Sequence, residues 1–135
     1  MSDIFDRDKR RAIMSAVKSQ NSVAEKIVFK YLQSRHIYFQ KHYSKIIGKP
    51  DITIPSKKKA IFIDGDYWHG RFPEKVTNTF FWKNKISNNV ARDKLVNKTL
   101  AGDGWQVLRV WGSDITRKNT QTEVMSQIEE FLISR

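Results

Sequence analysis

Gly48-Lys49-Pro50-Asp51-Ile52-Thr53-Ile54, a break at Pro55-Ser56, and then Ala60-Ile61-Phe62-Ile63-Asp64-Gly65-Asp66 are the residues whose reading decides the fold. Two short apolar, β-branched runs divided by turn formers predict hairpin strands over 51–54 and 60–64. The hairpin brings Asp51, at the start of one strand, near Asp64, at the end of the next. Neighbouring antiparallel strands lie about 4.8 Å apart, so two such carboxylates can share one divalent cation. Taken singly, either Asp is an ordinary turn former. The pairing across a hairpin, behind Pro50, favours a metal site.

Upstream, 38–42 predicts another strand, preceded by a helix from Ser22 to about His36. Ser22 and Glu25 have the spacing of a capping box, and Ile27, Val28, Tyr31 and Leu32 form the apolar stripe behind it. Glu25 therefore has two readings, cap partner of Ser22 or acidic group delivered by the helix end to the metal site. A basic helix is predicted over 7–18. Downstream, a loop over roughly 65–77 leads to a long helix over 79–101, with Phe81, Ile86, Val90, Leu95 and Leu100 as its apolar positions and Gly102-Asp103-Gly104 as its stop. A strand over 105–111 and an amphipathic helix over 121–133, through Val124, Ile128, Phe131 and Leu132, complete the order ααβββαβα. That order predicts an α/β fold, with a three-strand meander, a crossover helix and a fourth strand forming one mixed sheet flanked by helices. No repeat, linker or low-complexity tract divides residues 1–135, so one domain is expected.

The charge map frames the acidic pair. Lys and Arg number 25 against 14 Asp and Glu, a net charge of +11. Residues 41–59 hold six lysines and one aspartate, and residues 83–98 hold five basic groups and one acidic. The stretch between them has three acidic groups and two basic. An acidic pocket in a basic frame suits an enzyme that grips a nucleic-acid backbone and holds a cation at its centre. Lys45, Lys49, Arg92 and Lys94 are the expected backbone contacts, and double-stranded DNA the expected partner. Lys57-Lys58-Lys59 reads equally as a solvated turn.

His69, five residues past Asp64 on a Gly-flanked loop, is the candidate for proton transfer, whereas His36 and His42 look structural. Six aromatic residues fall within 67–82, more than a loop beside an acidic site needs for packing. Of these, Tyr67, Trp68 and Trp82 are placed to stack on bases or wedge between them. The chain has no cysteine, which excludes disulfides, iron–sulfur clusters and thiolate zinc. No apolar run reaches the roughly 20 residues of a membrane span, and Met1-Ser2-Asp3 opens no signal core, so a cytoplasmic protein without membrane contact is expected.

The motifs Gly48-Lys49-Pro50-Asp51, Phe62-Ile63-Asp64-Gly65-Asp66-Tyr67-Trp68-His69, Phe81-Trp82, Asn89-Val90-Ala91-Arg92-Asp93 and Gly104-Trp105-Gln106-Val107-Leu108-Arg109-Val110-Trp111 together resemble the very-short-patch repair endonucleases over roughly residues 5–133. The resemblance implies the restriction-endonuclease-like fold of the PD-(D/E)xK superfamily and Mg²⁺-dependent nicking beside a T·G mismatch, in a bacterial, nucleoid-associated setting. It implies Asp51 as principal metal ligand, the Ile63 carbonyl as a further ligand, His69 as catalytic histidine, Glu25 as supporting acid, and Tyr67, Trp68 and Trp82 as the wedge. Asp64 and Asp66 stand where the family has a histidine and a cysteine, so no structural zinc is expected, and Asp64 is read as the second metal carboxylate. A monomer is expected. Two other readings stay open, a related nuclease acting in restriction or on branched or unmodified DNA and a catalytically decayed DNA-binding module, whereas a structural ribosome-associated protein would explain the charge but not the acidic hairpin.

Overall fold

A computed structural model describes residues 22–65 and 80–135, the last from side chain 84 onward. Helix α1 runs over 22–34. It is followed by β1 (Gln40–Lys41), β2 (Ile52–Ile54), a 3-10 turn at Pro55–Lys57, β3 (Lys59–Asp64), α2 (Phe80–Gly102), β4 (Gln106–Trp111), α3 (Gly112–Thr116) and α4 (Lys118–Ile133). The four strands lie in the order β1-β2-β3-β4. The first two pairings are antiparallel and β3–β4 is parallel, with α2 as the crossover. The predicted mixed sheet and its restriction-endonuclease-like arrangement are therefore present.

All six residues of β3 are buried, because helices cover both faces of the sheet there. Ile61 and Ile63 face one core with Ile52, Val110, the α1 residues Ala24, Val28 and Leu32, Ile115 of α3, and Val124, Met125, Ile128 and Leu132 of α4. Ala60 and Phe62 face the other, against Val96 and Leu100 of α2. Asp64 continues the Ala60–Phe62 side by strand alternation, so it ends the buried strand on the α2 face. Tyr31 and Arg35 both donate to Glu129, at 2.6 and 2.9 Å, which fastens α1 to α4.

Several boundaries and faces differ from expectation. The last helix starts at Lys118, three residues earlier than its apolar stripe suggests, and α3 precedes it unannounced. Leu95 is 58% exposed, and among the described side chains of α2 the buried apolar positions are Ile86, Val96 and Leu100. The inward stripe of α2 is interrupted by Asn89 and Asp93, which border a cleft, so its true face is partly polar and the apolar period misleads. Ser22 is already helical and exposed. The Glu25 carboxylate turns to His42.

The three lysines at 57–59 serve backbone carbonyls. Lys57 Nζ donates to Leu132 O at 3.0 Å and Lys58 Nζ to Asp103 O at 3.0 Å. Fully buried Lys59 donates to Phe131 O at 2.6 Å, to Ser134 Oγ at 2.8 Å and to Ser134 O. Cations at helix C-terminal ends satisfy carbonyls that lack intrahelical partners. Among the described residues no helix is long and apolar enough to cross a membrane. The predicted helix over 7–18 lies outside the described residues.

Candidate active site

The hairpin continues past β1 as two further hydrogen bonds, His42 N–H to Asp51 O and Tyr43 N–H to Pro50 O, both 3.1 Å. His42 thereby stands opposite Asp51, with its backbone in the left-handed region at φ 48°. The turn that returns the chain holds Gly48 at φ +85°. A Cβ on Gly48 would meet Val96 Cγ1 at 2.7 Å and the Phe62 ring at 3.1 Å, so only glycine lets this turn sit against α2.

Three side chains converge at that point. His42 Nε2 lies 3.0 Å from Glu25 Oε1 and 4.0 Å from Asp51 Oδ1. One ligand atom from each of Glu25, His42 and Asp51 lies within 4.8 Å of the others. Asp51 Oδ2 also accepts the Ile63 N–H at 2.7 Å, which fixes the carboxylate against β3. Helix α1 supplies Glu25, the residue after β1 supplies His42, and the residue before β2 supplies Asp51.

The electrostatics are those of a crowded acid pair. Burial, then the hydrogen bond shared with Glu25, pushes the Asp51 carboxyl up to about 8, against the pull of the Ile63 N–H. Burial also acts to raise Glu25, but its hydrogen bonds with Asp51 and His42 outweigh this and hold it below the usual carboxylate range. Asp51 thus keeps the proton while Glu25 is ionised. A divalent cation among two carboxylates and an imidazole relieves this repulsion, and the donor set suits one.

Asp51 opens into a cleft of about 290 Å³ whose lining includes Gly48, Lys49, Ile63, Asp64, Asn89, Arg92, Asp93 and Arg109. Asp51, Asp64 and Ile63 all line this cleft. Asp64, however, faces a cation. Arg109 Nη1 lies 2.9 Å from its Oδ1 and 3.2 Å from its Oδ2. Lys49 and Arg92 are exposed at the cleft, whereas Lys45 and Lys94 are exposed but outside its lining. Asp66, Tyr67, Trp68, His69 and the Trp82 side chain lie outside the described residues.

Two members of the site are not recognised from sequence. His42, read as structural, could have been found by counting hairpin register back from Asp51. Arg109 breaks the apolar alternation of its strand, and a charged residue in a strand parallel to a fully buried one is the signal.

Comparison with known proteins follows the same lines. Residues 2–75 match the family model described as DNA mismatch endonuclease Vsr. The chain is 33% identical over 122 residues to the type II nicking enzyme V.HpaIIP of Haemophilus parainfluenzae, covering 87% of this chain and 86% of that protein. It is 34% identical over 123 residues to the type II nicking enzyme V.NmeDIP of Neisseria meningitidis serogroup C, covering 87% and 83%. Identity to the DNA mismatch endonuclease Vsr of Escherichia coli (strain K12) is 29% over 138 residues, 98% of this chain and 88% of that one.

Proposed function

The chain belongs to the Vsr family of DNA mismatch endonucleases, and from that premise we propose that it nicks one strand of duplex DNA beside a T·G mismatch, using Mg²⁺ held at Asp51. The observation that carries this reading is the convergence of Glu25, His42 and Asp51 at the mouth of a cleft that also presents Lys49 and Arg92. The names of the two nicking relatives favour cleavage of a single strand.

The residues divide the work as follows. Asp51 and Glu25 would hold the cation with His42 beside them, and the Ile63 main chain would supply a further oxygen. A divalent cation contributes Lewis-acid neutralisation of charge on a phosphoryl oxygen. In the metal-free site Glu25, held ionised, shares a hydrogen bond with the protonated Asp51 and keeps both carboxylates aimed at one point, and a bound cation would take the place of that proton. Lys49 and Arg92 hold the DNA backbone at the cleft, and Lys45 and Lys94 extend that grip along the surface. His69 would carry the proton to or from the reacting oxygens. Tyr67, Trp68 and Trp82 would stack beside the mismatched pair.

The test is a set of end-labelled duplexes differing at one base pair, T·G, another mismatch or a matched pair, each incubated with Mg²⁺ or with EDTA. The expected result is one nicked strand on the T·G duplex, in Mg²⁺ only. Equal cutting of all three duplexes would move the protein to a nuclease of unmodified DNA. Tight binding without any nick would make it a DNA-binding module.

A further inference from the structure

Asp51 and Asp64 line one cleft, yet their surroundings differ in kind. Asp51 has a carboxylate and an imidazole beside it, whereas Asp64 has a guanidinium. Arg109 Nη1 contacts both Asp64 oxygens and lies 3.5 Å from Asp93 Oδ1. Its Nε donates to Asn97 Oδ1 at 2.7 Å, and its guanidinium carbon sits 4.1 Å from the centroid of the Phe62 ring. Register explains the placement. Arg109 is the β4 partner of Phe62 in the parallel ladder, so it projects on the same face and reaches one step along β3 to Asp64.

This cation is held by β3 and α2 at once, with its side chain 18% exposed. Lys49 and Arg92, the other basic residues of the lining, are exposed. Burying a guanidinium costs desolvation that its ion pairs only roughly offset, so two carboxylates, an amide and an aromatic face are more than a surface tether needs. What they achieve is a fixed planar fork on the wall of a cleft otherwise rich in carboxylates. A phosphodiester entering beside Asp51, Glu25, Asp64 and Asp93 meets repulsion unless a cation faces it. An arginine already oriented donates to phosphate oxygens without first losing its own freedom.

We propose that Arg109 is a catalytic residue that donates to a non-bridging oxygen of the phosphate in the cleft, and that Asp64 is its positioning residue and not a cation ligand. Charge growing on the equatorial oxygens during phosphodiester hydrolysis then meets a donor that need not reorganise. The inference rests on the endonuclease reading and assigns two residues within it.

The experiment combines single-turnover nicking of a labelled T·G duplex across a Mg²⁺ titration with binding of the same duplex in EDTA at several salt concentrations. The proteins are wild type, Arg109→Gln, Arg109→Lys, Asp64→Asn and the Arg109→Gln/Asp64→Asn double variant, each checked by thermal melting. Arg109→Gln is expected to slow nicking at saturating Mg²⁺ about 100-fold with no change in the half-saturating Mg²⁺ concentration. It should also reduce the slope of log affinity against log salt by about 0.9, one phosphate contact. Asp64→Asn should slow nicking about tenfold, again without altering Mg²⁺ dependence, and the double variant should be no slower than Arg109→Gln alone.

If Arg109→Gln fails to fold, Arg109→Lys decides. Without the fork it should be about tenfold slow, and a wild-type rate would overturn the proposal. Asp64→Asn raising the half-saturating Mg²⁺ concentration would overturn it as well, making Asp64 a ligand. A wild-type protein that binds but never nicks would defeat the endonuclease reading, and the salt slope would still decide whether Arg109 meets a phosphate.

Discussion

At the scale of single residues, Asp51 carries the clearest consequence. Its carboxyl, raised by burial and by Glu25 to about 8, binds a proton in the folded metal-free protein that the unfolded chain releases near its ordinary value of 3.8. A group with a raised folded-state pKa contributes stability below the unfolded value and loses it as pH rises through the folded value. Metal-free protein should therefore lose stability between about pH 4 and pH 8 from this group, while Glu25, shifted the opposite way, offsets part of the loss at the acidic end. Asp51→Asn should flatten that fall, melting higher than wild type at pH 8 by more than about 1 kcal/mol when no metal is present. Melting curves in EDTA across the range check it. Gly48→Ala carries a second prediction. The added methyl meets Val96 and the Phe62 ring in a left-handed backbone, and a loss of about 1–3 kcal/mol should appear in urea unfolding.

At the scale of elements, β3 and α2 decide where the site lies. Fully buried Lys59 ties the start of β3 to Phe131 and Ser134 at the end of α4, so Lys59→Met should remove their shared donor, leaving the Phe131 carbonyl with Ser134 Oγ alone, and cost about 1–3 kcal/mol in thermal melting. On α2 a contrast is expected. Leu100→Ala should cost about 2–5 kcal/mol, while Leu95→Gln should be near neutral. The order of the four strands, the hairpin and its acidic ends were legible because periods of two and turn residues are local signals, whereas the short α3 gave none. The inward face of α2 was not, because its polar positions at 89 and 93 serve the cleft and hide the helical stripe. The place of His42 beside Glu25 and Asp51 was not legible for a related reason. Its role comes from hairpin register and from a helix residue seventeen positions earlier, and no local pattern reports either. Arg109 likewise depends on the β3–β4 register, which only the crossover sets.

At the scale of the whole molecule, the net charge of +11 resolves into groups with different duties. Lys57, Lys58 and Lys59 hold helix ends, and Arg109 is bound within the cleft wall. Lys49 and Arg92 stand exposed at its lining. Binding to matched duplex should accordingly be salt-sensitive, weakening at least about tenfold between roughly 50 and 200 mM salt in fluorescence anisotropy. Reducing the basic groups that already serve carbonyls should not change that dependence. The acidic centre inside this frame separates cutting DNA from holding it. The most direct measurement is the nicking rate of a labelled T·G duplex by wild type and by Asp51→Asn at saturating Mg²⁺. Wild type should nick one strand, and the variant should be slower by about 1,000-fold or more, since it removes the group at the centre of the proposed cation site. Nicking by Asp51→Asn within about tenfold of wild type would contradict the account, because Asp51 would then not be the centre of the site.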